Sequence, residues 1–183
     1  MTETTETTAA AMLCEMAVRH DPVDGDERSL LLAGLAHHRA TLARKCAGLL
    51  PEELRRRAIP PSTLSLLGLV RHLAEVERGW FRRTAAGENA PPLYYSEAAP
   101  DADFDGVDTA DVDEDVAAWR RECEHADAVL RQVTSLDQPT AGPRHSGETC
   151  SVRWVMVHMI AEYARHNGHA DLLRQCIDGA VGE

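Results

Sequence analysis

Four stretches of the chain repeat their apolar residues every three or four positions. None alternates them every second position, so the apolar surface can be buried only by packing helices together. The first stretch runs from Asp26, a residue suited to a helix N-cap, to Leu50. It carries Leu31, Leu35, His38 and Leu42 on one face, with Pro51 as its stop. The second starts at Ser62 or Thr63, carries Leu66, Leu69, Leu73, Val76 and Trp80, and ends near Gly87. The third begins near Thr109, has acid from Asp111 to Glu114 in its first turn, and presents Val116, Trp119, Cys123, Ala126 and Leu130. The fourth spans Ser151 to Gly179, with Val155, Met159, Tyr163 and Leu173 apolar. Four such helices in 183 residues predict an all-α domain, a four-helix bundle over residues 26–183. Residues 1–25 read as a polar arm in which Ala9 to Val18 can form a short helix.

The link between the second and third helices, Ala86 to Asp108, is about 23 residues, too long for a tight turn between antiparallel neighbours. It can span the bundle, so the second and third helices can run parallel in an up-down-down-up topology. Tyr94 and Tyr95 within it can line a pocket mouth. Lys plus Arg number 19 against 30 Asp plus Glu, a net charge of −11, which argues against nucleic acid or an anionic membrane as partner. The cysteines, Cys14, Cys46, Cys123, Cys150 and Cys176, form no C-x-x-C pair and read as free thiols in a reducing compartment. The first residues lack the basic and apolar regions of a secretory signal, and no stretch is long and apolar enough to cross a bilayer. The expected location is the cytoplasm.

The fourth helix concentrates the chemistry. At about 100° per residue, with Glu162 as origin, His158 falls near −40°, His166 near +40° and His169 near −20°, one stripe about 80° wide. Val155, Met159 and Leu173 flank this stripe, so it faces the interior, where ionisable groups need partners or a metal. Glu162 and His166 are spaced i, i+4, and His166 and His169 i, i+3. Either pair can chelate one ion, and spacing alone does not choose between them. On the second helix, His72 borders the apolar stripe and can point inward at similar height. A His, Glu, His set with open positions suits catalytic zinc or the facial triad of non-haem iron. A hydrogen-bonded core cluster of His and Glu is the competing reading.

The blocks PSTLSLLGLVRHLAEVERGWF (61–81) and RWVMVHMIAEYARHNGHADLLRQCIDG (153–179) resemble the DinB/YfiT-like metalloenzyme superfamily, in the branch related to mycothiol-dependent maleylpyruvate isomerase. The resemblance covers roughly residues 26–179. It implies the up-down-down-up bundle, a metal ion held by His72, Glu162 and His166, frequent dimerisation to a homodimer, and no DNA binding. Many members carry His where this chain has Glu162; the carboxylate resembles the isomerase branch. His169 then becomes a neighbour of the ligands or a substrate-facing group, and His158 a core residue or a neighbour of the ligands.

The activity that follows is transfer or isomerisation dependent on a low-molecular-weight thiol such as mycothiol, acting on a small electrophile. A divalent cation, Zn2+ first and Ni2+ or Fe2+ next, would favour the thiolate. His169 or Arg165 would orient a substrate anion or move a proton, as the catalytic candidates. A metal-dependent hydrolase and a non-catalytic metal- or ligand-binding bundle are the alternatives. Plainer roles are expected elsewhere. Cys176, Trp80 and Trp154 are packing residues, Glu75 and Glu77 are solvated or salt-bridged, and at most one of His37 and His38 faces inward. His20, His125 and His145 have no partner evident in the sequence.

Overall fold

Side-chain caps start the long helices where the sequence offers Asp and Ser. Asp26 accepts a hydrogen bond from Ser29 N (2.8 Å) and opens α2 (Glu27–Cys46). Ser65 accepts from Gly68 N (3.1 Å) and opens α4 (Leu66–Glu77). Asp111 accepts from Asp113 N and Glu114 N and opens α6 (Val112–Gln132), whose first turn holds three further carboxylates. Ser151 opens α7 (Val152–Asp178), which ends at Gly179 with φ +81°, a left-handed cap that glycine adopts without strain. Shorter elements complete the chain: α1 (Ala9–Met16), α3 (Pro51–Arg55), and α5 (Ala102–Asp105) with a 3-10 turn at Gly106–Thr109. This computed structural model describes residues 8–17 and 23–182, so His20 and Val18 lie outside the described residues. Among the described residues the chain is all-helical and forms no strand.

Three boundaries differ from expectation. The first helix stops at Cys46, and Pro51 starts α3, because a proline at the first helical position forfeits no hydrogen bond. The second helix begins at Leu66, since the Pro60–Pro61 pair and the Ser65 cap delay it. Past Glu77 it continues as a π-helix, Arg78–Ala85, closed by the i→i+5 bond from Ala86 N to Phe81 O (3.0 Å). Its end is met by the 140–143 loop, where Ala141 N and Gly142 N donate to Ala85 O and Thr84 O.

One apolar core collects Leu35 and Leu42 from α2, Leu69 and Leu73 from α4, Trp119 and Leu130 from α6, and Met159 and Leu173 from α7. Helix α2 packs along α7 and α4 along α6, while α4 also meets α7, and α1 covers α2 and α6. A buried polar knot draws one or more residues from each long helix. Arg39 donates twice to fully buried Glu77 (2.7 Å each) and once to Asp127 (2.8 Å). Tyr163 donates to Glu77 (2.8 Å), and Trp119 donates to Tyr163 (2.8 Å). Glu77 is therefore paired and dry rather than solvated. Glu75 is also buried, receiving Leu93 N and Tyr94 N and facing Arg83.

Glu75 and Glu77 thus follow the salt-bridged alternative, and the remaining plain expectations have mixed outcomes. Trp80 packs against the core as expected, whereas Trp154 is 39% exposed and stacks on His158, which also meets Trp80, so the three rings form a partly open aromatic cluster at the core's edge. Cys176 is exposed rather than packed. His125 has a partner after all, Glu88 at 2.8 Å. His37 and His38 are both half-buried, and His38 faces Asn167 across the α2–α7 contact. No helix is long and apolar enough to cross a membrane among the described residues.

Candidate metal centre and adjoining cavity

Helices α4 and α7 bring His72, Glu162 and His166 together. Each offers one ligand atom, and the three atoms lie within 4.8 Å of one another. Glu162 Oε1 is 3.1 Å from His166 Nε2 and 3.5 Å from His72 Nε2. Metal–ligand bonds of about 2.0–2.2 Å at tetrahedral angles space ligand atoms by roughly 3.3–3.6 Å, so the two Glu162 separations are close to those of a shared small cation, while the two histidines, within 4.8 Å, would draw together around one. The pair one turn apart on α7 meets for the reason the spacing gives: residues i and i+4 stand above one another on one face. Of the two i+3 or i+4 pairs left open by the sequence, the one containing Glu162 faces His72. Among the described residues, no other group of His, Cys, Asp or Glu has comparable convergence.

Electrostatics favour the same grouping. Hydrogen bonds from His166 and then His72 hold the Glu162 carboxyl well below the usual carboxylate range. Burial opposes a charge on His72, but its hydrogen bonds to Asp103 and Glu162 outweigh that cost, and its pKa is pushed up to about 9. Arg165 reaches Glu162 Oε2 at 3.4 Å from a largely exposed position. His169 Nδ1 lies 3.4 Å from His166 Nδ1, behind the cluster as seen from Glu162, and burial, followed by His166 and Arg165, lowers its pKa. His158 stands apart from the cluster, in the aromatic group with Trp80 and Trp154, and burial lowers its pKa.

Two features escaped the sequence reading. Asp103, from the link between α4 and α6, places Oδ2 2.8 Å from His72 Nδ1, and Phe104 stacks on the His72 ring at 4.8 Å. Helical periodicity cannot find a partner that arrives from an irregular segment. The available signal was Arg71, a guanidinium beside His72 on a buried helix, which required an acidic or carbonyl-rich partner. The second feature is a cavity of about 630 Å³ that opens against His72 and Asp103. The π-helix supplies Trp80 and Arg83 to its wall, the link supplies Tyr95, and the 143–145 loop supplies Arg144. Tyr95 thus lines the pocket as expected, whereas Tyr94 lies over the Arg71 guanidinium at 4.1 Å. No cysteine lines the cavity.

No curated protein matches the chain. The family model described as mycothiol-S-transferase matches residues 30–179, a stretch that begins in the first turn of α2, closes at the cap of α7, and so contains α4, the link and the whole cluster just described. On that match, which takes in most of the sequence, the chain belongs to the mycothiol-S-transferase family.

Proposed function

We propose that this protein is a metal-dependent transferase that joins a low-molecular-weight thiol, mycothiol first among them, to a small electrophile. The observation that carries the reading is the convergence of His72, Glu162 and His166, with His72 also lining the cavity, within a chain of this family. The three side chains would hold a divalent cation, Zn2+ ahead of Ni2+ or Fe2+ because the N/O donor set is indifferent among them and supply decides. When bound, that ion would supply Lewis acidity, favouring the deprotonated form of a thiol sulfur.

The remaining chemistry falls to residues of the chain. The thiol must come from outside, since no protein cysteine faces the cavity. Sulfur forms a bond to the electrophilic carbon as that carbon releases halide, breaks an epoxide C–O bond or passes a π pair to a quinone oxygen, and the thiol proton passes to a base, to water or to the oxygen so formed. His169, whose pKa burial lowers, is the proposed proton acceptor; its Nδ1 also faces His166 Nδ1, where it can steady that ring. Arg165 is proposed to receive an anionic substituent at the outer edge while steadying Glu162. Arg83 and Arg144 line the cavity and can meet further polar groups of either substrate. The reading carries with it an up-down-down-up four-helix bundle and a cytoplasmic location where such thiols stay reduced. The pairing of α2 with α7 and of α4 with α6 supports the former.

The test is turnover of a panel of activated halides, epoxides and quinones by zinc-loaded protein, with mycothiol, with another thiol, and with none. Product formation that requires thiol and disappears with chelator is expected. Hydrolysis of a substrate without thiol, or no thiol-dependent product across the panel, would overturn the assignment.

A further inference from the structure

We propose that Asp103 is a positioning residue for the metal centre, holding His72 so that Nε2 faces Glu162 and His166. The inference rests on the metal-binding reading of that cluster. Both carboxylate oxygens of Asp103 are in use: Oδ2 lies 2.8 Å from His72 Nδ1, and Oδ1 accepts from Phe104 N at 3.1 Å. In the neutral ring, a carboxylate facing Nδ1 accepts a hydrogen bond from that nitrogen and keeps the hydrogen there, which leaves the Nε2 lone pair, 3.5 Å from Glu162 Oε1, available to a cation. Asp103 is not itself a ligand candidate, because it meets the opposite nitrogen of the ring.

The carboxylate is delivered by a clamp built on the residue before His72. Arg71 donates to the backbone carbonyls of Asp103 (2.9 Å) and Ala102 (3.0 Å), and its remaining nitrogen donates to both oxygens of Asp115 on α6 (3.1 and 3.0 Å). A planar guanidinium fits this three-way grip, and Tyr94 covers its face at 4.1 Å. Consecutive residues of α4 therefore hold one short segment, Arg71 by its backbone and His72 by its side chain. Phe104 closes the arrangement by stacking on His72 with rings 28° apart. The same segment forms the cavity wall through Asp101 and Asp103. An ordered wall and an aimed ligand thus depend on one set of contacts.

Zinc affinity, measured by competition with a chromophoric chelator, tests the proposal on wild type, Asp103→Asn and Asp103→Ala. Asp105→Asn, an exposed neighbour, is the control. Weakening by about 10–100-fold is expected for Asp103→Ala. A smaller loss is expected for Asp103→Asn, whose carbonyl oxygen can still accept from Nδ1; the control should be unchanged. Nitrogen-15 spectra of the metal-free proteins give the second readout. At a pH above the raised pKa of His72, where the ring is neutral, its hydrogen should sit on Nδ1 in wild type and lose that preference in Asp103→Ala, while far-ultraviolet circular dichroism stays the same. Wild-type affinity in both Asp103 variants, with an unaltered His72 signal, overturns the positioning role and leaves the metal site standing. Failure of wild type itself to bind zinc overturns both.

Discussion

His72 shows how much a single side chain can be asked to do. One ring nitrogen meets Asp103, the other points at Glu162, and the ring face lies on Phe104. Its own placement was legible: the residue borders an apolar stripe on a helix and turns inward. Glu162 and His166 were legible for a similar reason, since their spacing puts them on one face beside buried neighbours. Asp103 was not, because its position depends on how a 23-residue link folds back, and periodicity carries no such information. The cysteines make a separate prediction at this scale. Cys14 and Cys176 are exposed, whereas Cys46 and Cys123 are buried. Burial pushes the Cys46 thiol up to about 12, and burial together with Glu77 holds the Cys123 thiol well above its ordinary value. A thiol with a raised pKa stays protonated and unreactive until the solution approaches that pKa. Timed alkylation read by peptide mass spectrometry should label Cys14 and Cys176 first and spare Cys46 and Cys123, at pH 7 and still at pH 9. Early labelling of Cys46 in folded protein would contradict the packing described.

Between elements, the Arg39–Glu77 pair carries the clearest energetic consequence. Removing Glu77 strips the buried Arg39 of two of its three carboxylate hydrogen bonds and leaves it only the half-exposed Asp127. That loss is bounded by the cost of a fully orphaned buried charge, about 3–5 kcal/mol, whereas replacing both Arg39 and Glu77 with apolar groups of similar volume costs far less. Denaturant unfolding should therefore rank Glu77→Leu as more damaging than the double variant Arg39→Met with Glu77→Leu. Additive losses would show that the knot is not a unit. Gly142 supplies a second prediction. A Cβ there would stand 2.2 Å from the carbonyl oxygen of Arg83, so backbone must move to admit alanine. Gly142→Ala should cost about 1–3 kcal/mol, as other overpacking substitutions do, and lower the melting temperature; unchanged melting would contradict the close approach of this loop. Helix ends were readable from the sequence at Asp26, Ser151 and Gly179, because local side-chain chemistry fixes them, whereas Asp111, expected in the first turn of a helix begun near Thr109, is itself the cap of a helix that starts at Val112. The π-helix was not, since its wider turn answers to the tertiary contacts of Trp80, Phe81 and Arg83 rather than to any local residue pattern.

At the scale of the whole molecule, an acidic helical protein holds a small cluster of histidine and carboxylate side chains where α4, α7 and the link meet. The all-helical class followed from periodicity, and the family from two blocks that coincide with α4 and α7. The cavity did not follow, because it is shaped by the π-helix and two loops. Ligand linkage gives a global prediction: a cation present at a hundred times its dissociation constant stabilises the fold by about 2.7 kcal/mol. For a chain of this size that is an increase of roughly 5–10 °C in melting temperature. Zinc should raise the melting temperature of wild type by that order and leave a Glu162→Ala, His166→Ala double variant unmoved; equal shifts would place the ion elsewhere. The most direct measurement is elemental analysis of purified wild type and His166→Ala after identical zinc loading and desalting. The account predicts close to one zinc per chain in wild type and a small fraction of that in the variant. Equal metal in both, or none in wild type, would contradict it.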